Sequence, residues 1–395
     1  MNVLLVIEGT YPWYRGGVSE WIYQYIRNCS NFKFDIVQIA TDEFFGLNPE
    51  NALYPLPENI NRFIRIPPPE MEIDWVEASG KWWASVKSEY QKLTSDYDIV
   101  HVTNTGFAGW LGIKLSQSLN LPLVLTEHAI YWLEVQKGAV ALECGYKIPD
   151  HEDGKEQVVR TFKEIARDVY EQSSQVITVS ECNIELQEQL GGKNIKYIPN
   201  GIPRSWLNYN KVSGEEMVLG WVGRCAEMKN PLQFFEFVRL ANELGINAKF
   251  LMLLSDANEK ELEKQVKKMA KGFPSVTLVW NQPSKEYYHL MDFLFITSHN
   301  ESQPLVMFEA LSKKVLPVGR IVGDLTERYG LVFGSDTTDE EILQAVMKLW
   351  LNKTEYSSYL NTRFKTVEEA HTWENIFAIY EHLFREISNT NLVVN

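Results

Sequence analysis

The sequence predicts an α/β protein built from two doubly wound parallel-sheet domains. Three observations carry that expectation: apolar runs of strand length, helical periodicity in the stretches between them, and a restart of the whole series near Met217. A chain of 395 residues also exceeds what one hydrophobic core supports, since single cores stop growing near ~250 to 300 residues. With 45% hydrophobic and 23% charged residues the composition is that of ordinary globular proteins.

In the first half the runs Val3 to Ile7, Phe34 to Ile39, Ile99 to Val102, Leu123 to Thr126, Val176 to Val179 and Ile195 to Ile198 read as buried strands with helices between most of them. Lys211-Val212-Ser213-Gly214-Glu215-Glu216 is polar and contains a glycine, so the linker is placed there. A second series follows at Val218 to Val222, Ala248 to Leu253, Val276 to Leu278, Phe293 to Thr297 and Val315 to Val318, with helical segments from Glu340 onward. The expected domains are thus 1–212, 213–370 and a terminal helical segment, 371–395. Pro55 to Pro69 carries five prolines and cannot be a regular helix, while Ala129 to Lys155 has no clear period. The latter follows a strand end, where an open sheet binds ligands, so it reads equally as an acceptor-side lid or a plain surface insertion.

Several function classes are disfavoured. The longest apolar runs fall far short of the ~20 residues that cross a bilayer, and no basic leader with a cleavage site precedes the first strand, so a cytoplasmic protein is expected. Peripheral membrane contact stays open. Cys29, Cys144, Cys182 and Cys225 are scattered without metal-like spacing, which indicates neither a disulfide framework nor a zinc site. A net charge of −14 disfavours nucleic acid as a partner.

The residues that carry chemistry lie where strands pass into helices. Glu8 to Ser19 is a strand-to-helix loop whose Gly16-Gly17 pair would let backbone N–H groups approach a diphosphate, or simply make a tight turn. Val222-Gly223-Arg224 ends a strand and Lys229-Asn230-Pro231 opens a helix, bringing two cations to one sheet edge, where they could neutralise a departing nucleoside diphosphate. In Glu301-Ser302-Gln303-Pro304-Leu305-Val306-Met307-Phe308-Glu309, Pro304 suits the first turn of a helix. Glu301 would precede that helix and Glu309 would sit within it, able to accept from a ribose diol. Their separation would be roughly 12 Å were the whole span helical. His128 ends the Leu123 to Thr126 strand, where an imidazole can hydrogen-bond a sugar hydroxyl or shuttle a proton, or serve only structure. The helical setting of Trp82-Trp83 and Trp350 fits core packing as well as sugar stacking.

Gly16-Gly17, Thr126-Glu127-His128, Ile177-Thr178-Val179-Ser180, Ile198-Pro199-Asn200-Gly201-Ile202, Val222-Gly223-Arg224 with Lys229, and Glu301 to Glu309 together resemble the family-four retaining glycosyltransferases. Glu8-Gly9-Thr10-Tyr11-Pro12, Arg15 to Trp21 and Glu301-Ser302-Gln303-Pro304-Leu305 look closest to their PelF-like exopolysaccharide branch. The resemblance implies a GT-B fold, two Rossmann-like domains facing across a cleft, and sugar transfer with retention and no obligatory metal or other cofactor. The donor it implies is a nucleoside-diphosphate sugar, UDP-glucose foremost, and the acceptor a glycan, glycolipid or other hydroxyl.

By the same resemblance Arg224 and Lys229 bind donor phosphates, Glu309 holds the ribose, Glu301 lies near the transferred sugar and His128 is the first-domain histidine. Gly16, Gly17, Asn281, Ser302, Gln303 and Leu305 complete the expected donor set. Ser302 departs from the glycine usual after the first Glu, and its Cβ could narrow the pocket. The terminal helix with Thr372-Trp373-Glu374-Asn375 would return to the first domain. Two alternatives stand beside hexosyl transfer: a sugar-nucleotide epimerase or phosphorylase of the same fold, and a non-catalytic nucleotide-sugar-binding scaffold of a polysaccharide assembly complex. For a pyridoxal-dependent phosphorylase, no lysine is evidently placed as a buried Schiff base.

Overall fold

In the computed structural model, residues 1–9, 11–13, 16–41, 52–70, 74–90, 93, 96–138, 142, 144–207, 214, 216–257 and 259–394 are described. The chain divides into two compact units, Met1–Pro199 with Ile376–Asn395, and Asn200–Asn375. Each is a parallel sheet covered on both faces, which is why the strands are near-continuous apolar runs rather than alternating ones.

The first unit contains β1 (Asn2–Glu8), α1 (Gly17–Asn28), β2 (Lys33–Ile39), β3 (Ile60–Ile66), α2 (Trp75–Tyr90), β4 (Ile99–Val102), α3 (Phe107–Leu119), β5 (Leu123–Glu127), α4 (Tyr131–Gln136), α5 (Glu152–Gln172), β6 (Ser173–Thr178), α6 (Ile184–Gln189) and β7 (Ile195–Tyr197). Its seven strands are parallel in the order β3-β2-β1-β4-β5-β6-β7. Strand β1 lies inside the sheet between β2 and β4, and Val3 to Ile7 are fully buried.

The second unit runs β8 (Met217–Arg224), α7 (Pro231–Glu243), β9 (Ala248–Ser255), α8 (Lys260–Lys271), β10 (Val276–Trp280), β11 (Phe293–Ile296), α9 (Leu305–Ser312), β12 (Leu316–Arg320), β13 (Leu331–Phe333), α10 (Asp339–Leu351) and α11 (Lys353–Ala370). The sheet order is β10-β9-β8-β11-β12-β13, again all parallel. Both orders reverse direction once, between β1 and β4 and between β8 and β11. Such a switch point opens a crevice beyond the carboxyl ends of the strands.

Two edge strands lie outside the sequence expectation. Strand β3 occupies the proline-rich stretch 55–69, and it runs between the prolines rather than through them, as an edge strand with one neighbour permits. Strand β13 has only three residues and lies between Gly330 and Gly334. Of the expected linker 211–216, residues 211–213 and 215 lie outside the described residues. The stretch Asn200–Ile202 already belongs to the second unit because Ile202 N donates to His371 O at 2.8 Å and Trp373 N donates to Ile202 O at 3.0 Å.

Helix α12 (Trp373–Val394) passes from one unit to the other along its length. Within the first unit its Phe377 and Phe384 pack on Tyr25 and Phe32, with ring centroids 5.5 and 6.4 Å apart respectively. The tryptophans left open by the sequence serve packing: Trp82 is buried and stacks on Trp110 at 5.4 Å, and Trp350 meets Tyr356 edge-on at 5.6 Å. The stretch 129–155 holds α4 and the start of α5, with Tyr131, Trp132 and Val135 buried, while residues 139–141 and 143 lie outside the described ones. Among the described residues no helix is long and apolar enough to cross a membrane.

Candidate functional site

In the second unit Arg224 and Lys229 lie at and after the end of β8 and the segment from Glu301 to Glu309 follows β11, the two strands of the switch point, whereas Asn281 follows the edge strand β10. Arg224 is the last residue of β8 and is exposed. A 3-10 turn, Glu227–Lys229, follows, and Asn230 adopts a left-handed conformation (φ 49°) to cap α7, with Pro231 in its first turn. The loop after β11 is tied to this turn. Thr297 Oγ1 lies 3.0 Å from Lys229 O and 2.8 Å from Asn230 O, Trp221 Nε1 donates to Thr297 Oγ1 at 2.9 Å, and His299 N donates to Met228 O at 2.9 Å.

That frame holds an ion pair. Lys229 Nζ meets Glu301 Oε1, and Ser298 Oγ donates to the same carboxylate oxygen at 2.8 Å. The two side chains keep 21% and 11% of their exposure, so the pair is partly desolvated yet within reach of a ligand. A cation held beside an acceptor-only carboxylate can exchange that partner for another anionic oxygen.

Helix α9 begins at Leu305, not before it: Pro304 is the N-cap and no side chain caps this end. The expected helical rise from Glu301 to Glu309 therefore does not apply, because the proline nitrogen has no hydrogen to donate and residues 301–304 are not helical. The uncapped helix start is favourable to an anion. One turn into the helix, Glu309 is half-buried and its Oε2 accepts from Tyr288 OH at 2.7 Å. Burial, reinforced by Glu309, pushes the Tyr288 phenol well above its usual range and keeps it a donor.

The other predicted donor residues are engaged by the protein. Gln303 is buried, its Oε1 accepts from Asn200 N at 2.7 Å and its Nε2 donates to Asp324 Oδ2 at 2.6 Å. Ser302 O accepts from Asp324 N at 2.9 Å. Gly323 (φ 54°) lies so close that a Cβ there would stand 2.2 Å from Ser302 O and 2.4 Å from Glu301 O. Asn281 (φ 54°) follows β10 and is exposed. Its Oδ1 accepts from Asp256 N at 3.1 Å and its Nδ2 donates to Asp256 Oδ2 at 3.0 Å. Hydrogen bonds from Trp280 and then Asn281 hold the Asp256 carboxyl below its usual range.

Gly16, Gly17 and His128 belong to the first unit. Gly16 caps α1 in extended conformation and Gly17 is the exposed first residue of the helix; Thr10, Tyr14 and Arg15 of the same loop lie outside the described residues. His128 follows β5, its ring edge-on to Trp21 with centroids 4.7 Å apart. Its Nε2 is enclosed and has no hydrogen-bond partner among the described residues. Burial lowers its pKa to about 3, so the imidazole is neutral at pH 7 and serves as a hydrogen-bond partner more readily than as a proton acceptor.

Sequence reasoning passed over several groups. Glu8, quoted only as part of a motif, is buried at the end of β1; its Oε1 accepts from Ala108 N at 2.7 Å at the start of α3, and Tyr131 OH donates to its Oε2. Glu127, beside His128, accepts from Thr105 Oγ1 at 2.6 Å, Tyr170 OH at 2.6 Å and Gln187 Nε2 at 2.7 Å, while burial raises its pKa. Acidic residues at strand ends were the available signal. Lys313 is likewise buried, with its ammonium donating to Trp206 O at 2.5 Å. That bond gives it a structural task, and burial lowers its pKa.

A family model described as a domain of unknown function, DUF3492, matches residues 1–75 and 84–194. No curated protein matches by sequence. Among solved structures the chain is similar to sucrose-phosphate synthase (tll1590) from Thermosynechococcus elongatus, with TM-score 0.73 and 17% identity over 99% of this chain and 100% of that one. It is similar to Anabaena HepE (Alr3699) in complex with UDP-glucose, with TM-score 0.68 and 14% identity over 99% of each. A third likeness is to the catalytic domain of starch synthase IV from Arabidopsis thaliana bound to ADP and acarbose, with TM-score 0.60 and 13% identity over 98% and 99%. Such identities speak for the fold, and with two parallel-sheet α/β domains of seven and six strands the chain has the fold of GT-B glycosyltransferase structures.

Proposed function

We propose that this protein is a retaining, metal-independent glycosyltransferase of the family-four, PelF-like kind, moving a hexose from a nucleoside-diphosphate sugar, UDP-glucose foremost, to a hydroxyl of a glycan or glycolipid. The observation that carries the reading is the convergence of Arg224, the Lys229–Glu301 pair, the uncapped start of α9 and Glu309 at one switch-point crevice. HepE, of the same fold, is solved with UDP-glucose, which supports the choice of donor.

In this reading Arg224, Lys229 and the N–H groups at the start of α9 bind the diphosphate and stabilise its charge as the glycosidic bond breaks. Glu309 accepts from the ribose diol, Glu301 lies beside the transferred sugar, and Asn281 borders the nucleoside. The acceptor hydroxyl attacks from the face the diphosphate leaves, and its proton passes to the leaving phosphate. His128, neutral, hydrogen-bonds a sugar hydroxyl.

The test is a panel of nucleotide sugars, with and without EDTA, read by mass spectrometry and released nucleotide. Release from one donor that survives EDTA and is lost in Arg224→Ala and Glu301→Ala is the expected result. Tight donor binding without turnover across a broad acceptor panel would point to the scaffold role instead, and neither binding nor turnover would remove the donor-site assignment.

A further inference from the structure

The chain passes between its units twice, after Pro199 and before Ile376, and inside the second unit the two connectors are joined. Ile202 and Thr372 form a parallel bridge, and Gly201 is pressed so tightly that a Cβ would stand 2.9 Å from Trp373 N. His371 stacks on Phe308 of α9 at 4.3 Å, its Nδ1 is 3.2 Å from Asn200 O and its Nε2 is 3.0 Å from Tyr329 OH. Gln303, two residues beyond Glu301, reaches the same place from the other side by accepting from Asn200 N and donating to Asp324, whose own N–H holds Ser302 O.

We propose that Gln303 is a positioning residue that couples the Glu301–Leu305 loop to the paired connectors 200–202 and 371–373. A primary amide can accept from a backbone N–H through its oxygen and donate to a carboxylate through its nitrogen at once. Buried networks of this kind hold one geometry when complete and loosen together when one member fails. The loop therefore cannot shift, on binding or losing a ligand, without pulling on the Asn200 end of the connectors. The functional side of this inference rests on the donor-site reading; the mechanical side does not.

Three variants separate the possibilities: Gln303→Glu, Asp324→Asn and the double. Gln303→Glu sets a second carboxylate against Asp324, where two anions at hydrogen-bond distance repel. Asp324→Asn alone keeps a donor and an acceptor facing each other. The double variant restores the bond with its direction reversed, the amide introduced at position 324 donating to the carboxylate introduced at position 303. Amide hydrogen exchange of ligand-free protein is expected to rise about tenfold or more in Gln303→Glu, at residues 301–305 and at 200–202 alike, from loss of one buried charge-assisted bond. The double variant should return both segments to within about threefold of wild type, and the donor KM should follow exchange while kcat moves less.

Faster exchange confined to 301–305, or a double variant no better than Gln303→Glu, overturns the coupling. Should Gln303→Glu not fold, the double variant against Gln303→Met gives the same comparison. Because exchange is read without ligand, a wild-type protein that binds no nucleotide would fail the donor reading and leave this measurement standing.

Discussion

Replacing Glu301 by Gln should tighten UDP binding while it slows transfer. In the structure Lys229 is paired with Glu301, and Ser298 donates to the same oxygen at 2.8 Å. Any phosphate that uses Lys229 must share it with that carboxylate or displace it. Two unit charges about 4 Å apart interact by ~1 kcal/mol in water and ~4 kcal/mol at the effective dielectric of a protein surface. Side-chain exposures of 21% and 11% place this pair between the two limits. Taking the lower one, removal of the negative charge with its shape retained gives about fivefold tighter UDP.

Lys229→Ala has the opposite sign on binding. UDP affinity should fall about tenfold or more, because a charge-assisted bond of ~1.5 to 3 kcal/mol is lost. Glu301 then keeps its bond from Ser298 but loses its cation, at a stability cost of ~1 to 3 kcal/mol, between the values for exposed and fully buried pairs. Both variants should turn over about 100-fold more slowly, the scale of losing one group that stabilises transition-state charge. Titration calorimetry with UDP at low and high salt, beside donor hydrolysis, reads all of these. If Glu301→Gln weakens UDP as Lys229→Ala does, the pair is a structural strut and the view of a cation held in reserve by its carboxylate is wrong.

Two further outcomes follow from the geometry. Gly323→Ala would place a methyl 2.2 Å from Ser302 O at a φ of 54°, so the Glu301–Ser302 backbone must move; we expect the donor KM to rise about tenfold at a stability cost of ~1 to 3 kcal/mol, and unchanged binding with unchanged melting would remove Gly323 from the loop's support. His101 and His128 are held to pKa values of about 3 and His371 to about 4 by burial. Between those values and the unfolded 6.5 the unfolded chain binds more protons, so the stability these residues contribute is complete above pH 6.5 and is lost as pH falls, by up to ~1.4 kcal/mol per pH unit for each. Glu127, with its raised pKa, pulls the other way and moderates the slope. Denaturant titrations at neutral pH and near pH 5 should show the loss, with a shallower slope in His128→Asn; equal slopes would mean that His128 titrates alike in the folded and unfolded chain.

The sequence by itself determined the double parallel α/β architecture, because a strand covered on both faces must be apolar along its whole length. Val3 to Ile7 and Phe293 to Ile296 announce themselves in that way. Edge strands have weaker demands: β3 reads Ile60-Asn61-Arg62-Phe63-Ile64-Arg65-Ile66, with polar residues interspersed on both faces, and β13 is three residues long. That Arg224 ends a strand, that Lys229 precedes the next helix and that Glu301 and Glu309 flank the start of another was also legible, since it needs only the positions of strands and helices along the chain.

What those side chains do was decided by tertiary structure. That Lys229 holds Glu301 across 72 residues of sequence, and that Gln303 serves Asn200 and Asp324, depends on which loops the folded sheet sets side by side. The neutral state of His128 was equally out of reach, because a desolvation cost depends on what surrounds the imidazole and not on its neighbours in the chain. Local patterning specifies elements, whereas charge state and pairing arise only once distant segments exclude water from one another.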